Sequence, residues 1–193
     1  MSRHPGRSLL AFAVPALLVA ALGALAIEPG PSDAPVLNEN DEAVRTPKNI
    51  VRNWPERPRL AALAMIEKYG PPQIVDSDAL SWVSNGPWDD TVVRRSADLG
   101  GSIQQSIHYP VTLPKLAAVK NIGGRIEYDS SSQQLSSTAD VEGLNFLALN
   151  LADQVVSGKS SAGQAHDAYR RTRELTAAGK SSPLTSALLF TKR

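Results

Sequence analysis

The sequence predicts an α+β domain: a small antiparallel sheet of about four or five strands packed against a long helix and a second C-terminal helix. Three observations carry this expectation. Within residues 140–158, Leu144, Leu147, Ala148, Leu151 and Val155 recur at the spacing of one helical face. Short β-prone runs separated by turn residues precede that stretch. Directly after it, Ser161 and Gln164 form the S-x-x-Q arrangement of a capping box, and Gly179 stands where a helix would end.

The chain begins with Arg3 and Arg7 ahead of an uncharged run, 9–27, in which Ala24-Leu25-Ala26 fits a small-x-small cleavage site. Residues 1–26 therefore read as a signal peptide, and the protein as exported and periplasmic. The alternative is an inner-membrane anchor formed by residues 9–27, because that run is close to the ~20 residues needed to cross a bilayer. Pro15 and Gly23 weaken such a helix and favour the signal peptide. Residues 27–48, rich in Pro and acidic side chains and without a periodic apolar face, read as a flexible linker.

One globular domain is expected over 49–193. Pro58 suits the first turn of a helix; Leu60, Leu63, Ala64 and Tyr69 continue it, and Gly70-Pro71-Pro72 stops it. Trp54 is placed to fold back on this helix. Residues 79–83 and 91–95 flank Ser84-Asn85-Gly86-Pro87-Trp88, which suggests a hairpin with a loop longer than the tight two-residue type. Gly100-Gly101 marks a loop, 103–111 a third strand, and 114–120 a short helix. Residues 125–128 and 134–138 read as a second hairpin.

The long helix follows. Its apolar arc covers more than half the circumference, with Glu142, Asp153, Asn150 and Gln154 opposite, so burial on two sides is expected. Asp140 is a candidate N-cap and Gly158 a candidate left-handed stop. Asn145 falls inside the apolar arc, where an unpaired amide would cost roughly 1–3 kcal/mol, so it is expected to satisfy a strand or loop backbone group. Phe146 falls among the polar positions and is expected either to be covered by the N-terminal helix or to mark a partner surface. On the last helix Ala165, Ala168, Tyr169, Thr172 and Leu175 form a narrow stripe. Residues 182–190 fit either a helix or a strand.

Composition excludes several functions. The chain has no cysteine, which rules out disulfides, thiolate metal sites and a cysteine nucleophile. His108 and His166 lack metal-ligand spacing, so no metal is expected, and no phosphate-loop or serine-hydrolase motif points to a cofactor. Removing residues 1–26 takes the formal charge from +1 to −1, which argues against a nucleic-acid partner. Arg170, Arg171 and Arg173 read as a solvated face laced by Asp167 and Glu174 at i, i+4.

Two candidate sites remain. Trp82, Trp88, Tyr69 and Tyr109 could line a shallow binding groove for a peptide, a glycan or an envelope protein, the competing reading being core filling. His108 could act as a general base oriented by Glu127 or Asp129, as in a small periplasmic hydrolase or isomerase. The expectation is a non-enzymatic binding or accessory module, with that enzyme as alternative. Any membrane attachment would run through an uncleaved N-terminal segment.

N-W-P-E at 53–56, E-K-Y-G-P-P at 67–72, N-G-P-W at 85–88 and N-F-L-A-L-N-L-A at 145–152 resemble a group of bacterial exported proteins of unknown function. The resemblance runs over roughly 49–174 and implies the domain boundaries and a location in the bacterial envelope. It implies no catalytic residue. The stretch 97–110 departs most from that group.

Overall fold

The computed structural model describes residues 46–96 and 100–192. The segments read as signal peptide or anchor (1–26) and most of the linker (27–45) lie outside the described residues. Helix α1 (Pro47–Val51) opens the described chain. Next come α2 (Glu56–Tyr69), β1 (Ile74–Val75), β2 (Ala79–Val83), β3 (Asp90–Arg94), β4 (Ile103–His108) and α3 (Leu113–Lys120). Strands β5 (Arg125–Asp129) and β6 (Gln134–Ala139) follow, then α4 (Glu142–Val156), α5 (Ala162–Ala177) and a 3-10 turn (Pro183–Thr185).

The strands form one antiparallel sheet in the order β1-β2-β3-β4-β6-β5. It has six strands, one or two more than the sequence predicts. The extra one, β1, has only two residues and follows Pro71-Pro72, too short to show an alternating pattern. β1 and β5 are the edges.

Register explains which face is covered. Leu80, Val93, Ile103 and Ala139 lie in one row, and Trp82, Thr91, Gln105, Ser137 and Ile126 in the next. Ile107 and Leu135 continue the same face, and the helices pack over it. The opposite face carries Ser81, Gln104, Ser106, Ser136 and Glu127 and meets no helix among the described residues; alternation along a strand requires this split.

Two apolar clusters form under the helices. Val51, Trp54, Ala62, Met65, Leu80 and Trp82 make the smaller, below α2. The larger surrounds α4 and includes Trp88, Ile107, Tyr109, Leu135, Phe146, Leu147 and Leu151. The prediction of a helix buried on two sides falls short of what α4 does. Glu142, Asn150 and Asp153, expected on its polar side, are buried along with the apolar arc. Asn150 faces the C-terminal tail: its Nδ2 donates to the carbonyls of Leu184 (3.0 Å) and Ala187 (2.8 Å), and its Oδ1 accepts from the Leu189 amide (2.7 Å). Asp153 accepts from the Tyr109 hydroxyl at 2.6 Å. Phe146 is covered by Trp88, the ring centroids 4.7 Å apart and stacked.

Local signals largely do what their chemistry dictates. Ser161 and Gln164 close a reciprocal capping box on α5, while Gly158 and Gly179 take the left-handed conformation. Asp140 does not cap α4; Val141 occupies the cap position and no side chain caps it. Arg170 pairs with Asp167 at i, i+3 rather than with Glu174. The tail forms neither a full helix nor a strand, only the 3-10 turn. In the Asn85-Gly86 turn, Gly86 has φ +60° and a Cβ there would lie 2.8 Å from the Tyr69 ring, so the hairpin presses directly on the end of α2.

Candidate functional site

The sheet and α4 meet through polar groups. Gln105 projects from the middle of β4 toward α4, and Glu142 and Asn145, three residues apart on one face of α4, meet it. Glu142 Oε1 accepts hydrogen bonds from the Tyr69 hydroxyl (2.6 Å), Trp88 Nε1 (2.6 Å) and Gln105 Nε2 (3.0 Å). Its other oxygen pairs with Lys68 Nζ. Gln105 also donates to Thr91 Oγ1 at 3.3 Å. Asn145 Nδ2 donates to Gln105 Oε1 (3.0 Å) and to the Ile103 carbonyl (3.1 Å). The buried amide inside the apolar arc thus does reach a strand backbone group, although its own oxygen finds no partner among the described residues.

The electrostatics follow from this geometry. Burial raises the Glu142 pKa, but the hydrogen bonds from Lys68, Tyr69, Trp88 and Gln105 outweigh it and hold the carboxyl below its ordinary value. The Tyr69 hydroxyl moves the other way, raised by burial and then by its bond to the Glu142 carboxylate. Glu142 is therefore a fixed anion whose lone pairs are occupied by donors.

One side of this network opens into a groove of about 800 Å³ between α2 and the start of α4. Leu60, Ala61, Ala64 and Met65, from one stripe of α2, form one wall; Ile103 and Val141 form the other. Leu60 is 54% exposed and Val141 51%, so apolar surface faces solvent on both sides. Arg57, Lys68 and Arg173 stand around it with Asp140 and Glu142. Lys68 is taken by Glu142, and Arg57 lies 3.8 Å from Asp140 in an exposed pair. Among the described residues Arg173 has no hydrogen bond or ion pair.

The aromatic residues singled out from sequence do not form a surface groove. Trp82, Trp88 and Tyr109 are fully buried, Trp82 in the cluster under α2 and the other two around α4. Core filling claims them because each has a polar end that finds an internal acceptor: Trp82 the Gly70 carbonyl, Trp88 Glu142, and Tyr109 Asp153. Tyr69 is half-buried and belongs to the Glu142 network.

His108, Glu127 and Asp129 do share the uncovered sheet face. His108 and Asp129 both register with Gln134, one strand spacing to either side, so a whole strand separates them. Each is engaged locally: His108 Nδ1 lies 3.3 Å from the Ser132 carbonyl, and Glu127 accepts from Arg125 Nε at 2.9 Å. Bonds from the hydroxyl and amide of Ser131, and from Ser132, hold the Asp129 carboxyl down to about 2, which makes it a weak base at neutral pH. Glu127 and Asp129 border a cleft of about 500 Å³ on this face; His108 does not.

Sequence reasoning missed Glu142, Lys68 and Gln105. One signal was present: Asn145 inside the apolar arc places Glu142, one turn earlier, toward the same neighbour. No group of His, Cys, Asp or Glu among the described residues is arranged to hold a metal ion. Nor is any described helix long and apolar enough to cross a membrane. Comparison of the chain with protein-family models, with curated proteins and with solved structures found no match.

Proposed function

We propose that the protein is an exported, non-enzymatic binding or accessory module of the bacterial envelope that takes its ligand in the groove between α2 and α4. The observation that carries this reading is the exposure of Leu60 and Val141 on opposite walls of a groove whose floor is fixed by the Glu142 network. Its volume suits a small ligand or a peptide side chain, and ligand sites characteristically combine apolar walls with a few placed polar groups. Export is supported by the basic and apolar residues at the N-terminus and by the resemblance to exported bacterial proteins.

The alternative, a hydrolase or isomerase built on His108, has less behind it. Its groups lie on two strands, β4 and β5, with β6 between them, and are bonded to separate neighbours. The test is thermal unfolding of the full chain with and without the small-molecule and peptide fraction of bacterial envelopes. The wild type is expected to gain several degrees in Tm, and Leu60→Asp to gain none. Equal gains in both, or none in either, would remove the groove from consideration.

A further inference from the structure

The groove just described carries an asymmetry that narrows its ligand, an inference that rests on the binding reading. Its apolar walls are crossed by more positive than negative charge: Arg57, Lys68 and Arg173 against Asp140 and Glu142. Glu142 is saturated by Lys68 and three neutral donors, and Asp140 has Arg57 3.8 Å from one oxygen while its other, buried oxygen accepts no hydrogen bond among the described residues. What is left over is one guanidinium, Arg173, exposed at the mouth and without a hydrogen bond or ion pair among the described residues.

We infer that the groove binds an amphipathic anion, an aliphatic chain lying between Leu60 and Val141 with its charged end at Arg173. A guanidinium is suited to this because its planar fork meets a carboxylate or a phosphate with two parallel N–H donors. The chain removes Leu60 and Val141 from water, and that burial supplies the bulk of the binding. Glu142 acts on the other side of the balance. It already holds Lys68, so an anionic end placed beside them finds no free cation, and the charged end is directed to Arg173.

The experiment is isothermal titration of the full chain with decanoate, with decyl phosphate and with decanol, at monomeric concentrations. Either anion is expected to bind about two- to fivefold tighter than the alcohol. Arg173→Ala is expected to erase that difference while leaving decanol binding unchanged, and Leu60→Asp to abolish binding of all three. Preference between carboxylate and phosphate identifies the headgroup. If decanol binds as tightly as both anions and Arg173→Ala changes nothing, the anion inference fails while the apolar groove stands. If Leu60→Asp, shown to be folded by circular dichroism, binds all three as well as wild type, the groove itself is not the site. The N-terminal segment is identical in every variant, so any binding it contributes cancels in the comparison.

Discussion

Glu142 is the residue on which the contacts between sheet and helices converge. Replacing it by Ala leaves the Trp88 indole and the Tyr69 hydroxyl without their acceptor, Gln105 Nε2 with only Thr91 as oxygen acceptor, and Lys68 without its counter-ion, and is expected to cost about 3 kcal/mol in urea unfolding. Lys68→Met is expected to cost only about 1 kcal/mol, because Lys68 is half exposed and the three neutral donors remain on the carboxylate. The same carboxyl makes stability pH-dependent. Its folded pKa is depressed, so its contribution is complete above the unfolded value of about 4.3 and is lost as pH falls through the lower folded value. Stability measured downward from pH 6 should therefore fall more steeply in wild type than in Glu142→Gln, and identical slopes would show that Glu142 is not the group titrating. At this scale the sequence was half legible. Asn145 announced a buried amide because it interrupts an apolar arc, whereas Glu142 looked like an ordinary surface acid in the first turn of a helix. Its partners Lys68, Trp88 and Gln105 are 37 to 74 residues away in the chain, and no local pattern reports such a meeting.

The element that departs furthest from its periodicity is α4. Its apolar arc was readable, and so were both ends of α5 through the capping box and Gly179. The burial of its supposed polar side was not, because distant segments cover it: the tail, whose own sequence has no period, at Asn150, Tyr109 at Asp153, and Tyr69, Trp88 and Gln105 at Glu142. Asn150 is the lock: three hydrogen bonds to residues 184–189 hold the tail against the helix, and Leu184, Leu188 and Phe190 pack on the core beneath. Asn150→Leu should lose about 2 kcal/mol and, more tellingly, should release the Leu189 amide to rapid hydrogen exchange while amides of β4 stay protected. Uniform loss of protection across the molecule would instead mean that the tail and the sheet open together. The Trp residues teach a related lesson. A hairpin with Asn85-Gly86 at its turn was legible, but the direction of Trp82 and Trp88 depends on the face given to the helices, which strand sequences this short do not reveal.

Across the molecule, two apolar clusters share one face of the sheet, and the polar chain from Lys68 through Glu142 and Gln105 to Asn145 spans the ground between them. Trp54 and Trp82 report on one cluster and Trp88 on the other. With the network intact, unfolding followed by tryptophan fluorescence and by far-ultraviolet circular dichroism should give superimposable urea curves. A fluorescence transition in two steps would show that the clusters melt separately. The α+β class followed from the order of helical and alternating patterns; the strand count and the placement of the binding groove required the pairing of distant segments. The edges of the sheet have a further consequence. At one side β1 offers only two residues, and at the other β5 carries Arg125, Glu127 and Asp129 in alternation. Another chain seeking to lengthen the sheet finds too little backbone at the first and fixed charge at the second. In a protein whose formal charge is nearly zero, and which net charge therefore does little to keep apart, the ends of the sheet are the features that oppose strand addition.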